Sequence, residues 1–289
     1  MTTSILASDK PTSSSLVERY QIPIVFLLVL GLTWPFMIWD ALASYGILPF
    51  RLPLPAMLLQ SYMPTMAAVI VTGLLWGRAG IRALFGKLSI ARVGLRWYAF
   101  AILGIAAICI AAILLGNQFG PAPALPILAK GMPPLSRPLE LLLTVAFYFV
   151  LTGVLNGEEL AWRGFALPRL QARYNALVSS LILSLPFILF HLPLFFDQEM
   201  NMGPFASFAI RAAALTILFT WLYNHTRGSV LLAYIMHAAF NSWTRVFSID
   251  PGNAFQDWMI TFVMVILAGI VVVTSGMENL SRTNSRITE

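Results

Sequence analysis

Three short stretches of the chain hold residue types that can move protons. They are Asn156–Gly–Glu158–Glu159–Leu–Ala–Trp–Arg163–Gly, Phe187–Ile–Leu–Phe–His191 and His237–Ala–Ala–Phe–Asn241. On a helix, residues four apart share a face. Glu159 and Arg163 can therefore pair, while Glu158 is turned about 100° away and left free. His237 and Asn241 point an imidazole and an amide the same way, and Phe187 can pack beside His191. Hydrolysis of an amide bond needs a nucleophile, a base, a donor to the oxyanion and an acid for the leaving amine. No Gly-x-Ser-x-Gly turn occurs, and Cys109 has no partner nearby in sequence, so water is the expected nucleophile. Glu158 could act as general base on that water and return the proton to the leaving nitrogen, with His191 orienting the water. His237 and Asn241 could donate to the oxyanion, and Glu159 with Arg163 would hold the arrangement in register. A metal version uses the same residues, since Glu158, His191 and His237 form a reasonable zinc set. The His-Glu-x-x-His signature is absent, and the metal-free version, with no cofactor required, is preferred.

These groups are embedded in an oily chain. Of 289 residues, 58% are hydrophobic and 10% charged, and mean hydropathy is +0.80. Soluble domains carry about 25% charged residues, so this composition cannot cover a water-facing surface. Apolar blocks near the bilayer-crossing length of about 20 residues fall at roughly 21–43, 55–77, 97–117, 139–160, 175–196, 204–223, 229–247 and 255–275. Backbone hydrogen bonding in lipid favours helices, and the blocks lack the alternation of a barrel. The expected fold is all-α and polytopic, with about eight spans. Residues 1–20 read as a disordered polar tail, 21–275 as one integral-membrane domain with its motifs at about 140–245, and 276–289 as a short cytoplasmic tail. The first apolar run is too long for a signal peptide and lacks its cleavage site.

Charge sets the expected orientation. The net charge of +6 is explained by asymmetry between connections, without a nucleic-acid partner. Arg78, Arg82, Lys87, Arg92 and Arg96 follow the second block with no acid among them, and Arg163, Arg169, Arg173, Arg227, Arg282 and Arg286 fall on the same side. The opposite connections carry Arg51, Lys130 and Arg137 beside Asp197, Glu199 and Asp250. Lys/Arg excess marks the cytoplasmic face, which places both termini there, and Trp76 and Trp97 bracket the basic connection where an interfacial belt is expected. Residues 78–97 read equally as an amphipathic helix on the inner leaflet or a basic loop.

Each feature has a plainer reading. The Glu-Glu…Arg stretch could be a snorkelling helix end, and a single intramembrane histidine is commonly an interhelical polar contact. Titratable groups within spans usually mark function, and here they fall on three neighbouring spans. His225 reads as a solvated loop residue and Cys109 as a small buried hydrophobe. Arg211 and Arg245 are expected to pair with Asp197, Glu199 or Asp250. Two other classes compete: a proton- or ion-coupled transporter, and a non-catalytic immunity or scaffold protein.

The motifs resemble those of the CPBP family, the CAAX-protease and bacteriocin-processing (Abi) group that includes the CAAX prenyl endopeptidase. Its pattern, Glu-Glu-x-x-x-Arg, Phe-x-x-x-His and His-x-x-x-Asn in that order on hydrophobic segments, is matched by Glu158–Glu159…Arg163, Phe187…His191 and His237…Asn241. The resemblance covers about residues 140–245. It implies an eight-helix intramembrane protease whose site opens toward the cytoplasm, in which Glu158 and His191 activate water and His237 and Asn241 form the oxyanion hole. The family is often labelled metalloprotease, which keeps zinc open. The expected setting is a prokaryotic plasma membrane, and the expected partners are the lipid bilayer and a peptide or membrane-associated protein substrate.

Overall fold

A computed structural model describes residues 16–121, 124–249, 253–282 and 285–288. Of the tail expected at 1–20, residues 1–15 lie outside the described residues, as does Asp250, while Leu16–Arg19 form a short helix. Among the described residues the protein is all-α, apart from one isolated bridge between Leu128 and Phe247. The main helices are α1 (Gln21–Ser44), α2 (Leu54–Gly86), α3 (Leu95–Phe119), α4 (Pro138–Val154), α5 (Ala176–His191), α6 (Phe205–His225), α7 (Val230–Val246) and α8 (Ala254–Ser275). Among the described residues six helices are long and apolar enough to cross a membrane: α1, α2, α3, α6, α8, and α5 with its one-turn extension to Phe196. The other two expected spans are shorter. α4 is a 17-residue apolar helix that stops before the carboxylates, and α7 also has 17 residues. Between α4 and α5 the chain unwinds at 156–158 and re-forms as a π-helical turn, Leu160–Ala166, that continues as Leu167–Gln171.

Hydrogen bonds define two ends of the bundle. At one end Arg51 pairs with Asp197, the Gln198 amide donates to Ser44 Oγ (3.1 Å), and the Ser248 amide donates to the Ile127 carbonyl (3.0 Å). At the other, Ser229 Oγ donates to the Ile90 carbonyl (2.6 Å), Lys87 Nζ to the Gly164 carbonyl (2.6 Å), and the Ala176 amide to the Glu278 carbonyl (2.9 Å). The second end holds the basic connections. Residues 276–282 and 285–288 are docked there: a buried amide pair, Gln171 and Asn224, bonds to the backbone of Asn279 and Ile287.

Small residues allow close helix approach in lipid, where packing replaces the hydrophobic drive. Ala67 and Ala68 of α2 and Ala112 and Gly116 of α3 are buried. The stretch 78–86 is helical and continues α2 beyond a break at Gly77, whose φ of +56° suits glycine. Trp97 departs from the expected interfacial belt, because it is buried against Trp221 and His225. His225 likewise is no solvated loop residue: it ends α6 with its ring centroid 4.9 Å from Trp97 and 4.8 Å from Trp221. Cys109 is buried, as expected.

The unwound stretch sits tightly on α2. Thr65 Oγ1 donates to the Gly157 carbonyl (2.8 Å), and a Cβ at Gly157 would lie 2.6 Å from Tyr62 Cα. Gly157→Ala is expected to destabilise the protein by about 1–3 kcal/mol through overpacking, seen as a lowered midpoint of thermal unfolding in detergent. The Arg51–Asp197 clamp has a pH signature. Burial raises the Asp197 pKa, but the bond from Arg51 and the Glu199 and Met200 amides outweigh it, so the carboxyl ionises below its ordinary value. The folded pKa is therefore depressed, and the clamp's stability is present above the unfolded aspartate pKa of about 3.9 and lost as pH falls through the folded value. With Arg51 partly exposed, the contribution is on the order of 1 kcal/mol. Unfolding midpoints should fall on acidification below this range, and Asp197→Asn should flatten that slope.

Candidate active site

The centre of the site is a chain of buried charges. Arg163 is 1% exposed and Glu159 1%. Arg163 Nη1 donates to both carboxylate oxygens of Glu159 at 3.1 Å. Glu159 Oε1 also accepts from His237 Nδ1 at 2.7 Å, joining the 160–171 segment to α7. The guanidinium lies 3.9 Å from the centre of the Phe219 ring, a favourable cation–π contact where water is excluded. Arg163 Nε has no hydrogen-bond partner among the described residues. The expected Glu159–Arg163 pair is thus present, and Glu159 holds an imidazole as well.

Glu158, expected to stand free, has a partner. Trp162 Nε1, four residues on, donates to its Oε2 at 3.0 Å, and Glu158 is 9% exposed. The indole is fully buried between Phe187 and Phe190, with ring centroids 6.1 and 6.0 Å away, so it cannot swing aside easily.

His191 closes α5. Its Nδ1 lies 2.8 Å from the Phe187 carbonyl, and its ring packs against Phe187, Phe190 and Phe208. A carbonyl can only accept, so Nδ1 carries the proton and Nε2 keeps its lone pair when the ring is neutral. His237 follows the same logic through Glu159: Nδ1 donates to the carboxylate, and Nε2 is an acceptor in the neutral ring and a donor in the protonated one.

His191, His237 and Asn241 line one cavity of about 520 Å³ between α5, α6, α7 and α8, and Glu158 is not among its lining residues. The cavity runs past Phe219 and Leu215 to Met200, Asn201 and Arg245, at the end of the bundle opposite the basic connections. Among the described residues no three His, Cys, Asp or Glu side chains are grouped closely enough to hold a metal ion.

Other wall residues had a weaker signal in sequence. Arg211 pairs with Asp257 at 2.6 Å and with Thr261 at 3.1 Å, correcting the expected pairing with Asp197 or Glu199; Asp197 is taken by Arg51. Arg245 donates to the Asn241 carbonyl. The Glu158–Trp162 bond follows the same four-residue spacing as Glu159–Arg163 and was readable there. The Arg211–Asp257 bond joins residues 46 apart, and no local pattern announces it.

Fold and site together define a helical membrane protein with an acid–base cluster at the foot of a cavity. Residues 138–243 match the family described as Type II CAAX prenyl endopeptidase Rce1-like. The likeness to this family covers that segment alone. The chain is similar to a CAAX prenyl protease 2 of Methanococcus maripaludis, with 27% identity over 138 residues, 44% of this chain and 49% of that protein. The chain thus spans about half the length of this curated relative.

The buried triad carries a stability prediction. Glu159→Gln leaves the Arg163 guanidinium buried without a counter-charge, and breaking such a pair costs about 3–5 kcal/mol. Thermal unfolding of the purified variant should show a large loss of stability. A midpoint near wild type would mean that the charges are not held as described.

Proposed function

We propose that the protein is an intramembrane endopeptidase that hydrolyses a peptide bond with water activated by Glu158 and His191. The observation that carries this reading is the joint placement of His191, His237 and Asn241 on one cavity.

In this reading Glu158, held by Trp162, takes a proton from water through the carboxylate oxygen that the indole leaves free. The Nε2 lone pair of His191 orients that water. Attack on the carbonyl carbon places negative charge on its oxygen, where the Asn241 amide and the protonated His237 donate. Glu158 then returns the proton to the leaving nitrogen as the carbon–nitrogen bond breaks. Glu159 steadies His237 in its protonated form and is itself steadied by Arg163. No metal or cofactor takes part. Substrates are peptides at or in the membrane, including prenylated carboxyl-terminal segments of the CAAX type. The protein resides in a prokaryotic plasma membrane, with its basic end and both termini in the cytoplasm.

The test is cleavage of a quenched fluorescent prenylated CAAX-type peptide by detergent-purified protein. Glu158→Gln should lower kcat by about 10²–10⁴-fold, as expected for loss of a general base, and a chelator should leave wild-type turnover unchanged. Equal turnover by Glu158→Gln would sink the reading, and loss of turnover with the chelator, restored by zinc, would replace water activation by carboxylate with a metal mechanism.

A further inference from the structure

We propose that a second cavity, at the basic end of the bundle, binds the phosphate of an anionic phospholipid through Lys87 and Arg169. The site is apart from the histidines, and nothing in it depends on the peptidase reading or on which face of the membrane the basic end meets.

This cavity of about 550 Å³ lies between the far end of α2 and the 167–171 helix. Lys87, Arg169, Thr72, Trp76 and Thr288 stand in its walls, and among the described residues no carboxylate lines it. Its shape comes from glycine. The helix breaks at Gly77, and beyond the break Gly80 lets the backbone close on Trp76, where a Cβ would lie 2.5 Å from the Trp76 Cβ.

The wall chemistry suits a phosphate. A guanidinium offers a planar fork of donors and an ammonium a compact charge, the two groups that recognise phosphate oxygens. Arg169 is 8% exposed and anchored, with Nε donating to Gln21 Oε1 (2.6 Å) and its guanidinium 4.7 Å from the centre of the Trp76 ring. Thr72 is 3% exposed, and its hydroxyl has no hydrogen-bond partner among the described residues. Buried hydroxyls are ordinarily satisfied, and a phosphate oxygen is the acceptor this one lacks.

The surroundings select a lipid as the source of that phosphate. α2 is long and apolar enough to cross a membrane, and Ile70, Leu74 and Trp76, just before its break, are exposed. Arg78, Arg82 and Lys87 follow directly, with Phe85 exposed among them. The cavity thus sits where an apolar surface gives way to cations. Tryptophan settles at that level of a bilayer, and basic pockets between membrane helices take lipid headgroups.

The same two cations reach the turn that carries the motif. Lys87 Nζ donates to the Gly164 carbonyl (2.6 Å) and Arg169 Nη1 to the Phe165 carbonyl (2.8 Å), and both carbonyls belong to the π-helical turn around Arg163. A bound lipid therefore steadies that turn, and the stability of the folded protein rises with lipid concentration by mass action.

The experiment uses the full chain in micelles of a neutral detergent, with phosphatidylglycerol as the probe. Lipid retained in native mass spectra and the midpoint of thermal unfolding are read together. Wild type should retain phosphatidylglycerol and show a saturating rise in midpoint, and equal concentrations of phosphatidylcholine or inorganic phosphate should do neither. Lys87→Gln should bind about fivefold more weakly, the loss expected of one basic residue at an anionic headgroup. Because Lys87 also holds Gly164, Ala83→Glu serves as a second variant. Ala83 is an exposed residue of the cavity wall, and a carboxylate four residues before Lys87 engages its ammonium and repels phosphate, so binding should fall at least as far. Arg92→Gln removes the same charge outside the cavity and should bind as wild type does. Retention unchanged in both Lys87→Gln and Ala83→Glu would overturn the proposal. An equal loss in Arg92→Gln would also overturn it, since diffuse surface charge would then explain the binding. A midpoint raised equally by phosphatidylcholine would remove the anion from the account, and one raised equally by inorganic phosphate would remove the lipid.

Discussion

A guanidinium inside a membrane protein must be neutralised and hydrogen-bonded, and here one carboxylate does both. Arg163 and Glu159 are each about 1% exposed, so neither charge is tolerable without the other. Their pairing requires the 160–171 segment to hold its register, and the bond from His237 to the same carboxylate then brings α7 against it. Phe219 of α6 covers the guanidinium. Three parts of the bundle that are distant in sequence are thus brought to one point, and the cavity that holds His191 and Asn241 opens beside it.

Electrostatic preorganisation gives this arrangement its chemical sense. In a low-dielectric interior, fixed donors and charges act more strongly than in water and need no reorganisation during reaction. Glu158, His191 and His237 each have one atom engaged and another left over. Trp162 takes one oxygen of Glu158, the Phe187 carbonyl takes Nδ1 of His191, and Glu159 takes Nδ1 of His237. The unengaged atoms, one carboxylate oxygen and two Nε2 nitrogens, are those that the proposed proton transfers use.

Much of this was legible in the residues themselves. Long apolar blocks announce helices in lipid because the backbone has no alternative there, and the four-residue spacing of Glu159 and Arg163 announces their bond. Less could be read where contacts are distant or the backbone departs from ideal form. The helix read through 139–160 ends at Val154, because unwinding at 156–158 gives way to a π-helical turn. Arg211 finds Asp257 across the start of two helices, a choice made by packing. Trp97 and His225 look interfacial by position, yet they pack on each other because α3 and α6 meet at that depth.

The π-helical turn at Leu160–Ala166 makes the site a matter of chain length as well as residue type. Such a turn holds one residue more than its α-helical equivalent. Deleting a single residue within it would relieve the wide turn, yet would rotate everything upstream by about 100° relative to Arg163. Both carboxylates would swing off the histidines without any change to the motif side chains. Relatives can therefore be expected to tolerate exchange of the apolar residues in this turn far more readily than insertion or loss of one, so that the spacing itself is inherited as part of the active site.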